Sequence, residues 1–377
     1  MTLNATVSGL DHHLLTPHEG FDIQHWDQCL DHTQRVFDWL PSVFRDGKST
    51  YCLLNVNNPT DSTIPDLPQH YDRYVISFHL EYPRYWWIEK FCQHFSDREV
   101  VLITQFDHFH LHIPNLRVLC YDVWPEVLEL LREHGHFVPL PSTPRTHKLS
   151  ALCNRVSQIK AYVVWYLYRR HDADQCILSW HCNVTKPEDL FFMSATGNAR
   201  IDDLTTWMQQ NRVLEKRIIP DRFSNTPLAN FDYSIPAYLD CVVNCTNESW
   251  NHSYQRVDGR EYVLPGPYLT EKTWKPLLSG TALLPAGQYN NYRTLESLGF
   301  RFDYPWDLSY DDEVGDLKRF DRLFDVLDSI MSLDLDYLRR RTQRSNEHNQ
   351  RHILQGGFTQ RARRVNQQRL EKYRYGQ

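Results

Sequence analysis

The sequence predicts an α/β protein of two lobes, each built on a parallel sheet, with a helical extension at the C-terminal end. Three observations predict it. The 377 residues exceed the size at which one hydrophobic core stops growing. Short β-rich runs alternate with helical patterns twice along the chain, and such alternation implies parallel strands covered on both faces. Between the two alternations lies PLPSTPRTHK, Pro139 to Lys148, whose three prolines mark a linker. The boundaries read from these signals are 1–140, 141–334 and 335–377.

Residues 1–48 mix polar clusters with short amphipathic pieces, Cys29 to Leu40 among them, and carry no assignable chemistry. The first alternation has strands at Tyr51–Val56, Tyr74–His79, Val100–Thr104 and Val118–Tyr121, with helices at Arg84–Phe95 and Trp124–Glu133. The second opens with a helix over Ser157–Arg170, its apolar residues at Ile159, Val163, Tyr166 and Leu167. Strands follow at Cys176–Trp180, Leu239–Val243 and Ala282–Pro285. Beyond Pro305 the pattern is helical: Leu317, Phe320, Leu323, Phe324, Leu327, Ile330 and Met331 form one apolar stripe, which is core packing. The absence of a fixed-period repeat excludes a solenoid.

Hydrophobic residues at 41% and charged residues at 23% are ordinary globular usage, which excludes disorder for most of the chain. No stretch approaches the roughly 18 to 20 apolar residues of a membrane span, and MTLNATVSGLDHH has neither the basic nor the apolar region of a secretory signal. The expectation is a cytoplasmic chain. Nine cysteines without a CxxC pair fit reduced thiols, and the sequons at Asn4, Asn183, Asn244, Asn247 and Asn251 then read as chance. The net charge of −6 conceals an asymmetry, because residues 335–377 hold eleven Lys/Arg against three acids. This basic arm is either a polyanion contact, nucleic acid included, or a solvated helical tail.

Neither GxGxxG nor GxxxxGK[ST] occurs, so the usual dinucleotide and P-loop cradles are missing. Asp-x-Asp pairs stand at Asp172/Asp174 and Asp334/Asp336, the first between a helix and a strand and the second within a helical run. Both read as solvated surface, which disfavours a single-domain metal-dependent transferase, and no cofactor beyond a donor substrate is expected.

The informative stretch is Leu239 to Asp312. Its first strand delivers Asn244, Glu248 and Ser249 to the sheet rim, where ligands bind in open α/β folds. Thr270 then caps a helix whose first turn holds Glu271 and Lys272 beside free backbone N–H groups, an arrangement suited to a diphosphate. The ammonium pairs with phosphate as a point charge, and the neighbouring carboxylate can accept from ribose hydroxyls. Gly280 ends the helix, and Gly287 lets backbone approach a ligand. Pro276 falls in the second turn, which leaves the helix start uncertain by a turn. The competing account of Glu271 and Lys272 is an exposed helix start with a dipole-favoured acid.

YLTEKTWKPLLSGTALLPAG resembles the nucleotide-sugar-binding signature of α-1,3-fucosyltransferases and, more closely, of glycosyltransferase-like proteins of bacteriophages and large DNA viruses. The likeness extends to LGFRFD, to LSYDDEVGDLKRFDRL and to HKLSALCNRVSQIKAYVVWYL, so that it covers residues 147–333. The resemblance implies a GT-B architecture: two facing Rossmann-like domains, the donor nucleotide on the C-terminal one, and no catalytic metal. It places Glu271 on the donor ribose, Lys272 on the diphosphate and Glu248 close by, although the polar insert Trp250–Pro267 separates Glu248 from TEK. Arg155 is a second candidate phosphate contact.

An inverting transfer needs a base for the acceptor hydroxyl. YVISFHLEY puts His79 and Glu81 on one side of a strand end, and Glu81 is the first candidate. Asp107 and His108 are second choices. His108, His110 and His112 alternate, yet no further ligand completes a zinc site. The expected partners are a nucleotide-sugar donor and a hydroxyl acceptor, either a hydroxymethylated pyrimidine in DNA or a glycan. A DNA acceptor base would have to be extruded. The rival class is a non-catalytic binder of nucleotide sugar or nucleic acid.

Overall fold

The computed structural model describes residues 3–7, 10–15, 51–55, 64, 67, 71–78, 84–105, 111–133, 135, 137, 144–153, 158–180, 197–210, 236–248, 254–257, 260–263 and 266–375. The protein is α/β with parallel-strand sheets and a helical C-terminal region. It divides into two compact units, Met1–Leu130 with Tyr254–Pro265 and Thr359–Gln377, and Leu131–Ser253 with Gly266–Phe358. Among the described residues no helix is long and apolar enough to cross a membrane.

The first unit holds a sheet of order β1 to β6. Strand β1 (Leu3–Val7) is antiparallel to β2 (Leu10–Leu15), while β3 (Tyr51–Asn55), β4 (Arg73–Ser77), β5 (Glu99–Thr104) and β6 (Leu116–Cys120) continue from β2 in parallel. Helix α1 (Tyr85–His94) forms because Tyr85, Ile88 and Cys92, with Trp87 and Phe91, share one face. That face meets Tyr74, Phe78 and Phe95 in an aromatic cluster, with the Trp87 and Phe91 rings stacked at 5.0 Å. The Asn115 amide reaches the carbonyls of Cys92, Phe95 and Arg98, satisfying acceptors that the helix end leaves open. Helix α2 (Trp124–Glu133) follows β6 as the sequence indicates.

In the second unit β7 (His147–Cys153) is followed by α3 (Gln158–Arg170), β8 (Cys176–Trp180), α4 (Ala199–Gln210), the short α5 (Pro236–Leu239) and β9 (Cys241–Asn247). The hairpin β10 (Tyr254–Val257) with β11 (Arg260–Val263), counted with the first unit, lies in the polar insert. Then come α6 (Glu271–Leu278), β12 (Ala282–Ala286), α7 (Asn291–Ser297), α8 (Asp316–Ser332), α9 (Leu335–Leu354) and α10 (Gly357–Tyr375). The sheet order is β12-β9-β7-β8, entirely parallel, and α3, α6, α8 and α9 pack against it.

Two local readings need correction. Strand β9 starts and ends later than Leu239–Val243, because its polar residues are paired inside the sheet. Asn244 donates to Ser150 Oγ at 2.8 Å and accepts from Thr246 Oγ1 at 2.8 Å, which removes the penalty of burying them. The linker also ends earlier than Lys148. His147 and Lys148 already belong to β7, and Arg145 before them donates to the carbonyls of Tyr238, Cys241 and Ser279 and to Thr281 Oγ1. Of the predicted stripe on α8, Leu317 is exposed and the other six residues are buried.

The basic stretch after residue 335 is folded against both units in turn. Helix α9 lies in the second, where its Asn349 bonds both main-chain groups of Arg301, Ser345 accepts from the Asp303 N–H and Gln350 donates to Leu278 O. From Thr359 onward α10 belongs to the first. There Asn366 bonds both main-chain groups of Asp122, Arg363 pairs with Glu126, and Arg117 stacks over the Tyr373 ring at 4.3 Å.

Candidate functional site

In the second unit the chain passes from β7 through α3 to β8 on one side, then returns to the other side of β7 to lay down β9 and β12. The order therefore reverses between β7 and β9. The crevice beyond the carboxyl ends of two such strands is where open α/β sheets bind ligands. Glu248 stands at that end of β9, and α3 opens a few residues beyond the end of β7.

Helix α6 begins where its capping chemistry dictates. Thr270 is in extended conformation and its Oγ1 accepts from the Lys272 N–H, occupying one orphan donor of the first turn. Pro276 is the sixth residue of the helix, which ends two residues later at Leu278. Gly280 beyond it adopts φ of 65°, a backbone conformation costly for other residues.

Glu248 is 1% exposed. The Thr270 hydroxyl donates to its Oε2 at 2.6 Å and the Thr273 hydroxyl to its Oε1 at 2.6 Å. The carboxylate thus ties the first turn of α6 to the end of β9. Burial raises its pKa, opposed by the Lys272 charge and by the two threonine hydroxyls.

On the open side of that turn, Lys272 Nζ donates to Glu271 Oε1 at 2.6 Å, and both side chains remain a little more than a quarter exposed. Burial works against ionising Glu271, but the charge and hydrogen bond of Lys272, with Lys275 and a main-chain bond, hold its pKa at about 2. Glu271 is therefore ionised at neutral pH, and both side chains are reachable by ligand.

The structure adds a residue that the sequence reading missed. Lys160, in the first turn of α3, is 6% exposed. Among the described residues its ammonium forms no hydrogen bond or ion pair. Burial lowers its pKa first and the Lys272 charge second, while Cys153, Glu248 and Glu271 act in the opposite direction. Lys160 therefore lies within electrostatic reach of Lys272, Glu248 and Glu271 near the carboxyl ends of β7 and β9, and its ammonium is desolvated without a direct partner among the described residues. Such a group is stabilised by an incoming anion.

The other candidates fall differently. Asn244 sits mid-strand, 3% exposed, inside the Ser150 network. Gly287 follows β12, and its carbonyl accepts from Arg319 Nε at 3.0 Å. Arg155, His79, Glu81, Asp107, His108 and Ser249 lie outside the described residues. Asp172 and Asp334 each accept from a main-chain N–H, the latter as the cap of α9. His112 is exposed.

No family model matches the chain, and no curated protein matches it.

Proposed function

We propose that this protein transfers a sugar from a nucleoside-diphosphate sugar to a hydroxyl acceptor, its two units serving as the acceptor-side and donor-side lobes of a GT-B enzyme. The observation that carries this reading is the first turn of α6 beyond the end of β9, where Glu248 anchors the turn that presents the Glu271–Lys272 pair, with the buried Lys160 within electrostatic reach. Lys272 and Lys160 engage the diphosphate, whose negative charge grows as the glycosidic C–O bond breaks; pre-placed cations stabilise that charge without reorganisation. Glu271, held ionised, accepts from the ribose hydroxyls. Glu248 acts indirectly by fixing the turn that presents Glu271 and Lys272.

The acceptor oxygen bonds to the anomeric carbon as the nucleoside diphosphate departs, and its proton passes to a carboxylate or imidazole, for which Glu81 is the proposed group, with His79, Asp107 and His108 as alternates. The proposed acceptor is the hydroxymethyl group of a modified pyrimidine, with a glycan hydroxyl as the other reading.

A panel of nucleotide sugars tested for thermal stabilisation, followed by turnover with the ones that bind, tests the assignment. Binding with slow donor hydrolysis is expected. Binding without any turnover would make the chain a non-catalytic binder. Glu81→Gln is expected to abolish turnover while donor affinity is kept, and full activity would remove Glu81 as the base.

A further inference from the structure

The inner face of α9 is consumed by packing: Leu338, Thr342, Ser345, Asn346, Asn349, Gln350 and Ile353 are all buried. Its cations divide into two sets. Arg339 pairs with Asp336 and donates to Arg145 O, and Arg351 bonds Glu347 through its carbonyl and lies 3.9 Å from its carboxylate. Arg340, Arg341 and Arg344 are exposed and form no hydrogen bond or ion pair among the described residues. The acids of this helix are engaged mainly elsewhere, Asp334 on the helix cap with the Arg340 charge acting on it only secondarily, Asp336 on Arg339, and Glu347 on Gln343 and Arg351.

Tyr337 lies on the same side. It is 38% exposed, one of few large apolar side chains left open among the described residues. Positions 337, 340, 341 and 344 follow the i, i+3, i+4, i+7 spacing of a single helix face, with neighbouring side chains about 5 to 6 Å apart. The patch is thus an open aromatic ring bordered by three exposed guanidinium groups without a hydrogen bond or ion pair among the described residues, on a chain whose net charge is −6.

We propose that this face of α9 binds a single strand of nucleic acid, the arginines taking phosphates and Tyr337 stacking on an unpaired base. Charge alone would fit any polyanion, but the ring selects the occupant. A base stacked within a duplex offers no free face, whereas single strands present bases to aromatic side chains between phosphate contacts. Arginine rather than lysine at all three positions fits the forked geometry of phosphate recognition. The inference goes beyond the sugar-transfer reading and does not rest on it.

Fluorescence anisotropy of the full-length protein with labelled oligothymidylate tests it. Tyr337→Ala is expected to weaken binding at least about fivefold, the low end for loss of one stacked base, with Tyr337→Phe restoring it. Arg340→Ala/Arg341→Ala/Arg344→Ala is expected to weaken binding and to flatten the slope of log K against log salt by about 2, at roughly 0.7 per phosphate contact. All four side chains are exposed, so melting temperatures should match the wild type; if the triple variant melts lower, the Tyr337 pair carries the test alone. Equal affinity of Tyr337→Ala and wild type, equal affinity for a duplex of the same length, or no binding at low salt would overturn the proposal. A protein that binds oligothymidylate but no nucleotide sugar would sink the sugar-transfer reading and leave this one standing.

Discussion

Replacing Lys160 by Met separates the demands of the fold from those of the ligand, because the two should respond with opposite signs. The lysine is 6% exposed and unpaired among the described residues, and burial together with Lys272 lowers its pKa. A buried charged group without a partner costs about 1–3 kcal/mol or more. Met keeps nearly the same length and apolar stem, so part of that cost disappears. With Glu248 and Glu271 supplying some compensation, the net stabilisation should be about 1 kcal/mol, or about 2–4 °C in melting temperature for a unit of this size. Binding should move the other way. A hydrogen bond to a charged group contributes about 1.5–3 kcal/mol, so the affinity for a nucleoside diphosphate should fall about 10- to 150-fold. Scanning calorimetry reads the first effect and isothermal titration the second. A lower melting temperature with unchanged affinity would make Lys160 a structural counter-ion and remove it from the ligand site.

Two pH effects follow from the same cluster. Phosphate contact needs protonated Lys160, whose proton is held less tightly than that of an exposed lysine; nucleotide affinity should therefore decline with rising pH before the ordinary lysine range, and Lys160→Met should abolish that alkaline limb in a titration series. Glu271 has a folded pKa of about 2, below the unfolded value of about 4.3, so its contribution to stability is full above the unfolded value and is lost as pH falls toward the folded one. Glu271→Gln should flatten the acid side of the stability curve, and superimposable acid melts of the two proteins would contradict this.

The helix at TEK was legible because its determinants are local. Thr270 caps it as its residue type requires, Gly280 stops it through a positive φ, and Pro276 comes late enough in a short helix to be tolerated. Strands β4, β5, β8 and β12 were legible through their apolar runs, with boundaries within about two residues, whereas β7 has no counterpart among the predicted strands. Strand β9 was misplaced because Asn244, Thr246 and Asn247 look like loop in sequence, and only β7 alongside supplies the Ser150 hydroxyl and the Leu152 carbonyl that accept from the Asn244 and Asn247 amide nitrogens. The hairpin β10–β11 was missed although Asp258-Gly259 between alternating residues is a strong short-range hairpin signal.

Lys160 was missed for a different reason. On a helix with apolar residues at Ile159 and Val163 it counts as the solvated position, yet Ala161 to Leu167 are buried without a break. A run that apolar has no wet face, and a lysine at its head has to be placed among other groups. That signal was available. Its electrostatic coupling to Lys272, more than a hundred residues away, was not, because it depends on the strand-order reversal at β7 and β9.

The most direct test titrates wild-type protein and Lys272→Ala with a set of nucleoside diphosphates by calorimetry. At least one nucleoside diphosphate should bind the wild type, and the variant should bind it at least about tenfold more weakly. Equal affinity in the two proteins, or no binding of any member of the set, would contradict it.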